Sequence, residues 1–187
     1  MAQTASAMLA LGTPAPAFTL KEVRDGREHS TASLQGRKGL LIMFICTHCP
    51  FVRHVEKELA KLGVDFRDSG IGMAAISSND AENYPDDAPA GLAKQALGNG
   101  FTFPYLYDET QDVARAYDAT CTPDFFLFDA AGKLVYRGQL DSSRPGNDVP
   151  VTGRDLRAAM KALLAGEAIS QEQRPSIGCN IKWKGKF

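Results

Sequence analysis

Two cysteines spaced as Cys-x-x-Cys, Cys46 and Cys49, sit directly after the apolar run 40–45 and before Pro50. The run is short, continuous and partly β-branched, the pattern of a buried strand. Pro50 suits the first turn of a helix, where its fixed φ is helical and its missing N–H costs nothing. Beyond it, Phe51, Val52, Val55, Leu59 and Leu62 recur at helical spacing, with Arg53, Glu56, Lys57 and Lys61 on the other face. The thiols therefore fall where a strand gives way to a helix start. A free thiol, with a pKa of roughly 8.5, is mostly protonated at neutral pH, and the thiolate is the reactive form. The partial positive charge of a helix N-terminus stabilises that anion. These positions predict Cys46 as an exposed nucleophile and Cys49 as the buried thiol that resolves a mixed disulfide. His48 would add positive charge or a donor near Cys46, making the disulfide more oxidising. With Thr47 it completes the candidate catalytic set.

Two other readings compete. A Cys-x-x-Cys can be half of a zinc site, but tetrahedral zinc wants a second ligand pair at similar spacing. Here His48, His54, Cys121 and Cys179 are scattered singly. Two inert core cysteines are the other reading, since free cysteine is often buried. The position after a strand favours redox use. The pair itself can carry two electrons, so no organic cofactor and no metal is expected.

The positioning elements belong to a chain of 187 residues, enough for one domain with a proper core. A net charge of −1 without blocks of like charge gives no reason to expect a nucleic-acid or membrane surface. Lys182, Lys184 and Lys186 form a small basic cluster that reads as a solvated end. No apolar run approaches the roughly 20 residues that span a bilayer. The start, MAQTASAMLALG, lacks a basic n-region, so the expected setting is cytoplasmic. In a reducing compartment, four cysteines suggest catalysis or metal binding rather than a disulfide framework.

Along the chain, residues 1–16 read as an irregular arm, 18–23 as a strand and 30–34 as one helical turn. The helix after Cys49 is expected to reach Arg67 or Asp68, with Gly63 weakening it by about 1 kcal/mol relative to alanine. Strand 71–77 would lie parallel to the first if that helix is a crossover. A polar loop 78–90 precedes a helix over 91–97 and a strand over 103–107. Thr110 is a candidate cap for the next helix. Residues 125–129 and 133–139 flank Ala130-Ala131-Gly132 as a hairpin. Thr152 and Asp155 suggest a capping box for a helix closed by Gly166. The tail 171–187 has no period. This order makes a single α/β domain, 1–187, whose central mixed sheet is flanked by helices. The cysteines lie at the carboxyl end of a parallel strand, where such sheets place their sites.

Strand, Cys-x-x-Cys, helix and then Cys121-Thr122-Pro123-Asp124-Phe125-Phe126 before a hairpin strand resembles the thioredoxin fold. The resemblance implies a cis Pro123 facing the cysteines, and a Thr122 backbone offered to a bound substrate strand. LGTPAPAFTL at 11–20 resembles the N-terminal extension of the redoxin branch, the alkyl hydroperoxide reductase/thiol-specific antioxidant group. FICTHCPFVRHVEKEL, SSNDAENYPDD, CTPDFFLFD, YRGQLDSSRPGN and PSIGCNIKWK resemble a peroxiredoxin-like subgroup within it. In peroxiredoxins the peroxidatic cysteine corresponds to Cys49. Their threonine three residues earlier is Cys46 here, and their arginine before the hairpin strand falls near Pro123. The resemblance thus implies thiol–disulfide exchange with protein dithiols or disulfides or small thiols, recharged by a thioredoxin-type reductant. An antioxidant hydroperoxide reductase and a non-enzymatic metal- or partner-binding protein are the alternatives.

Cys121 and Cys179 are candidate auxiliary thiols. Cys121, two residues before Pro123, belongs near the pair in this fold; the bland alternative is a small residue packed beneath the loop. Cys179 could approach Cys121 or Cys46 if Ile181 and Trp183 pack the tail back over the domain; otherwise it is a bystander. Asn79, Asp80, Tyr84, Asp86 and Asp87 make a polar loop, and Arg137, Asp141, Arg144 and Asp148 another; either could set specificity or be a solvated turn. His29 and His54 have no visible partner.

Overall fold

The computed structural model describes residues 3–185; Lys186 of the basic cluster lies outside them. In chain order the elements are β1 (Gln3–Ala5), β2 (Thr19–Glu22), β3 (Glu28–Ser30), α1 (Thr31–Leu34), β4 (Gly39–Phe44), α2 (Pro50–Asp65) and β5 (Ile71–Ser77). There follow α3 (Pro89–Asn99), β6 (Tyr105–Tyr107), α4 (Asp112–Ala116), β7 (Cys121–Thr122), β8 (Asp124–Asp129), β9 (Leu134–Gly138), α5 (Arg154–Ala165) and β10 (Ile177–Asn180). Seven strands form a mixed sheet in the order β3-β2-β6-β5-β4-β8-β9. β4 runs parallel to β5 and antiparallel to β8, so the crossover through α2 and the hairpin β8–β9 stand as the pattern predicts.

β4 is buried on both faces, which is why its sequence is continuously apolar rather than alternating. Leu41 and Met43 pack with Val52, Val55, Leu59 and Leu62 of α2 and with Leu156 and Met160 of α5. On the other face, Leu40, Ile42 and Phe44 meet Tyr117, Phe126 and Phe128. The rings of Phe44, Tyr117 and Phe126 pack edge to face, with centroids 5.5–5.8 Å apart, a favoured aromatic geometry. α2 is thus wedged against the central strand, and its N-terminus is held at the strand's carboxyl end. Gly63 does not interrupt it. A Cβ there would lie 2.7 Å from Thr102 Oγ1 and 2.9 Å from the Phe103 ring, so close packing accounts for the glycine.

Several local expectations are corrected. Gln111, in a left-handed conformation, caps α4, while Thr110 Oγ1 only accepts a long 3.4 Å bond from the Asp112 N–H. Thr152 and Asp155 form no capping box. The buried Asp141 carboxylate instead accepts from the Thr152 and Gly153 N–H groups at 2.7 and 2.6 Å. The polar loop holds a short 3₁₀ turn, Pro85–Asp87, and α3 begins at Pro89 inside its expected span.

The larger correction is at the chain ends. The arm holds β1 and the tail holds β10, and these join β7 in a separate sheet ordered β1-β10-β7. Neither strand has an apolar period, because each is specified by its neighbours rather than by its own pattern. No helix among the described residues is long and apolar enough to cross a membrane.

Candidate functional site at the start of the second helix

β4 delivers the chain to Cys46, and Cys49 is the N-cap of α2, with φ −72° and ψ 120°. The helix start therefore falls beneath the second sulfur. Opposite lies the Thr122–Pro123 peptide, which is cis. Thr122 Oγ1 is 3.3 Å from Cys46 Sγ, and the Thr122 carbonyl is 3.3 Å from Cys49 Sγ. Cys179 Sγ, carried in on β10, is 2.7 Å from Cys49 Sγ. Cys46, Cys49 and Cys179 thus meet in one cluster. Cys121 lies beside it in β7, buried, with its thiol pushed up by that burial.

The expected exposed Cys46 thiolate is not what forms. Cys46 is 1% exposed and Cys49 0%, because β10 and the cis peptide close over both. The Cys46 thiol hydrogen-bonds Cys49, and burial and the nearby Asp87 carboxylate add to hold the Cys46 proton on. Cys49 receives that bond, the largest influence on it; burial opposes it, and the nearby Cys179 thiol acts in the same direction as Cys46. Together they bring Cys49 down to about 5. Cys49 is the N-cap residue of α2, but its side chain makes no cap hydrogen bond to the helix, so the neighbouring Cys46 thiol is the larger influence on it. These effects favour the anion on Cys49 over Cys46.

Thr47 and His48 serve a different partner from the one expected. Asp87 Oδ1 accepts from the Thr47 N–H at 2.8 Å and the Thr47 hydroxyl at 2.6 Å. Its Oδ2 lies 2.6 Å from His48 Nδ1 and accepts from Asn79 Nδ2 at 2.8 Å. Burial works to raise this carboxyl, yet the hydrogen bonds from His48, Thr47 and Asn79 hold it below the usual range. The His48 ring stacks on Tyr84, centroids 5.2 Å apart. Cys46, His48 and Asp87 bring potential ligand atoms within 4.8 Å of one another. Both Asp87 oxygens are already saturated, so the cluster reads as a hydrogen-bonded scaffold that fixes the turn between the cysteines.

Of the polar loop, Asp87 and Asn79 turn inward to this scaffold; of the second loop, Asp141 turns inward to the Thr152 and Gly153 N–H groups just before α5. His54, which has no visible partner in the sequence, sits 2.7 Å from Ser143 Oγ. Gln95 Nε2 donates to the Cys46 carbonyl at 3.2 Å, a contact with no sequence signal.

Asp124 was equally silent. It follows the cis proline, is fully buried, and its Oδ2 has no partner. Burial pushes its carboxyl up to about 8, although Ser176 and the Phe125 N–H pull the other way. An acid raised above its unfolded value, roughly 3.9, costs stability as pH climbs between those two values. An Asp124→Asn variant should therefore gain Tm over the parent progressively from pH 4 to pH 8, as read by thermal unfolding. A difference independent of pH would show that Asp124 does not titrate there.

The mixed sheet, the helix start at its centre and the apposed cis-proline loop define a thioredoxin-like fold. A thiol:disulfide interchange protein of Chlorobium tepidum shares it, with TM-score 0.63 and 24% identity over 83% of this chain and 98% of that one. The chain belongs to the redoxin family, whose pattern it matches over residues 10–156. A thiol-disulfide oxidoreductase, ResA, of Geobacillus thermodenitrificans is 28% identical over 131 residues, 70% of each chain. A crystal structure of an uncharacterized conserved protein from Geobacillus kaustophilus matches with TM-score 0.98 and 52% identity, over 100% of this chain and 99% of that one.

Proposed function

We propose that this chain is a thiol–disulfide oxidoreductase that cycles Cys46 and Cys49 between dithiol and disulfide. The observation that carries the reading is the placement of the pair: Cys46 and Cys49 lie between the end of β4 and the start of α2, with Thr122 Oγ1 3.3 Å from Cys46 Sγ and the Thr122 carbonyl 3.3 Å from Cys49 Sγ. The Cys49 thiolate attacks a substrate disulfide and forms a mixed disulfide, and the first substrate thiolate leaves. Cys46 then gives up its proton to the second leaving sulfur and attacks Cys49, closing the Cys46–Cys49 bond. One substrate disulfide is reduced to two thiols, and the protein dithiol is oxidised. A low-molecular-weight thiol or a thioredoxin-type dithiol returns the two electrons. This order exchanges the roles that the sequence suggested, because the Cys46 hydrogen bond favours the anion on the second sulfur.

The test is equilibration in glutathione redox buffers followed by alkylation of the remaining thiols. The expected result is a two-electron transition confined to Cys46 and Cys49, at a potential above about −300 mV because the stabilised thiolate favours the dithiol. Failure of these two residues to form a disulfide across that range would overturn the reading.

A hydroperoxide as oxidant is a second reading, favoured by sulfurs that are 1% and 0% exposed and so better reached by a small molecule. In that case the Cys49 thiolate takes one peroxide oxygen, becoming a sulfenic acid and releasing an alcohol. A dimedone adduct on Cys49 in a Cys46→Ser, Cys179→Ser double variant would support it, and a peroxide-treated protein without one would exclude it.

A further inference from the structure

We propose that β10 acts as an internal substrate strand: Cys179 exchanges with Cys46 for a disulfide bond to Cys49. The inference rests on the Cys46/Cys49 reading and adds a third residue to its chemistry.

Four observations converge on it. The Cys49 and Cys179 sulfurs are 2.7 Å apart, close to the roughly 2.05 Å of a bond and nearer than packing alone requires. Cys179 is in antiparallel register with Thr122, so β10 occupies the strand edge beside the cis peptide where an extended partner would pair. The approach is possible only because residue 178 is glycine, since a Cβ there would lie 1.9 Å from the Thr122 carbonyl oxygen. The strand is also held on both sides of its cysteine. Ser176 exchanges hydrogen bonds with Ser6, and the Ile181 N–H donates to the Thr120 carbonyl.

One residue ties this strand to the turn between the first two cysteines. Asn79 donates from Nδ2 to Asp87, which holds Thr47 and His48, and its Oδ1 accepts from the Lys182 N–H at 2.9 Å. The seat of the tail and the position of the Cys-x-x-Cys turn are thus set by a common side chain. A tail merely packed for stability would not need its thiol within 2.7 Å of the Cys49 sulfur.

The step is an isomerisation that needs no outside oxidant. Starting from the Cys46–Cys49 disulfide, Cys179 loses its proton and its thiolate attacks the Cys49 sulfur. The Cys46–Cys49 bond breaks, the Cys49–Cys179 bond forms, and Cys46 leaves as a thiolate that takes up the proton. One disulfide is stored in two alternative positions, and in the second it fastens the tail to the start of α2.

Peptide mapping separates the two positions. Trypsin leaves Cys46 and Cys49 in one peptide, 39–53, and Cys179 in another, 162–182. After one equivalent of diamide and alkylation of free thiols, the parent protein is expected to give both 39–53 lighter by two hydrogens and 39–53 joined to 162–182. In Cys46→Ser the joined species should become the main product, and Cys46→Ala should repeat it if serine disturbs the turn. In Cys179→Ala it should vanish while the 39–53 disulfide persists. If both Cys46 variants retain native circular dichroism yet give no joined peptide, the inference falls and the Cys46/Cys49 reading stands. If the parent never forms the 39–53 disulfide, that reading falls instead, and the isomerisation with it.

Discussion

Replacing Cys49 with serine is expected to slow the first step of disulfide exchange by on the order of 10²-fold or more, measured as single-turnover release of a chromogenic thiol at neutral pH. The variant removes the sulfur whose proton the neighbouring Cys46 and Cys179 thiols help to release. It leaves Cys46, whose proton is held by burial and by Asp87. A buried thiol raised above the free value of roughly 8.5 is only marginally ionised at pH 7, and rate follows the thiolate fraction. Cys46→Ser should behave differently. Its first thiol release should survive within a few-fold, because the serine hydroxyl can still donate to Cys49 in place of the Cys46 thiol, its largest influence, and the Cys179 thiol stays beside it. The mixed disulfide should then persist or pass to Cys179. The opposite outcome, a burst in Cys49→Ser and none in Cys46→Ser, would return the nucleophile to the first cysteine.

The second large effect is in the pH dependence of alkylation. Cys49, brought down to about 5, is ionised throughout the neutral range. Its reaction with iodoacetamide should change by less than about 2-fold between pH 6 and pH 8.5, followed by mass spectrometry of 39–53. An ordinary thiol would gain on the order of 100-fold over that span. Burial lowers the absolute rate but does not alter the shape of the profile. The same shift acts on stability. A depressed folded-state value adds stability above the unfolded thiol value, and that gain is lost as pH falls through about 5. The reduced parent should therefore destabilise faster than Cys49→Ser on acidification across this window. Asp124 works in the reverse direction, so each slope is read as a difference between variant and parent. A tenfold rise in alkylation per pH unit up to 8.5 would contradict the stabilised anion.

Local signals carried much of the framework. The unbroken apolar run before Cys46 reads as a strand covered on both sides, and Pro50 marks where the helix starts. The Ala130-Ala131-Gly132 turn closes the hairpin, and Ser30 with Ser33 makes a true capping box on α1. Each is decided by residues a few positions apart, whose side-chain period or backbone restriction favours one conformation before any distant contact forms. The site was legible in part: its two cysteines and their helix start are visible in the residues, whereas Thr122-Pro123 opposite them followed only from the resemblance to the thioredoxin fold.

The distribution of charge within that site was not. Which sulfur is favoured as the anion depends on the hydrogen bond between Cys46 and Cys49 and on what packs around each, with Asp87 on the Cys46 side. Asp87 looks like one more acid in a polar loop until Thr47, His48 and Asn79 close around it. Cys179 is separated from Cys49 by 130 positions and lies in a segment without an apolar period. Its place is set by strand pairing to β1 and β7 and by the absence of a Cβ at Gly178. The sequence by itself determined the elements and the type of chemistry, because those depend on neighbours along the chain. Only the tertiary structure decided how deeply the two thiols are buried and which third thiol meets them, because burial and hydrogen bonding exist only once distant segments have packed.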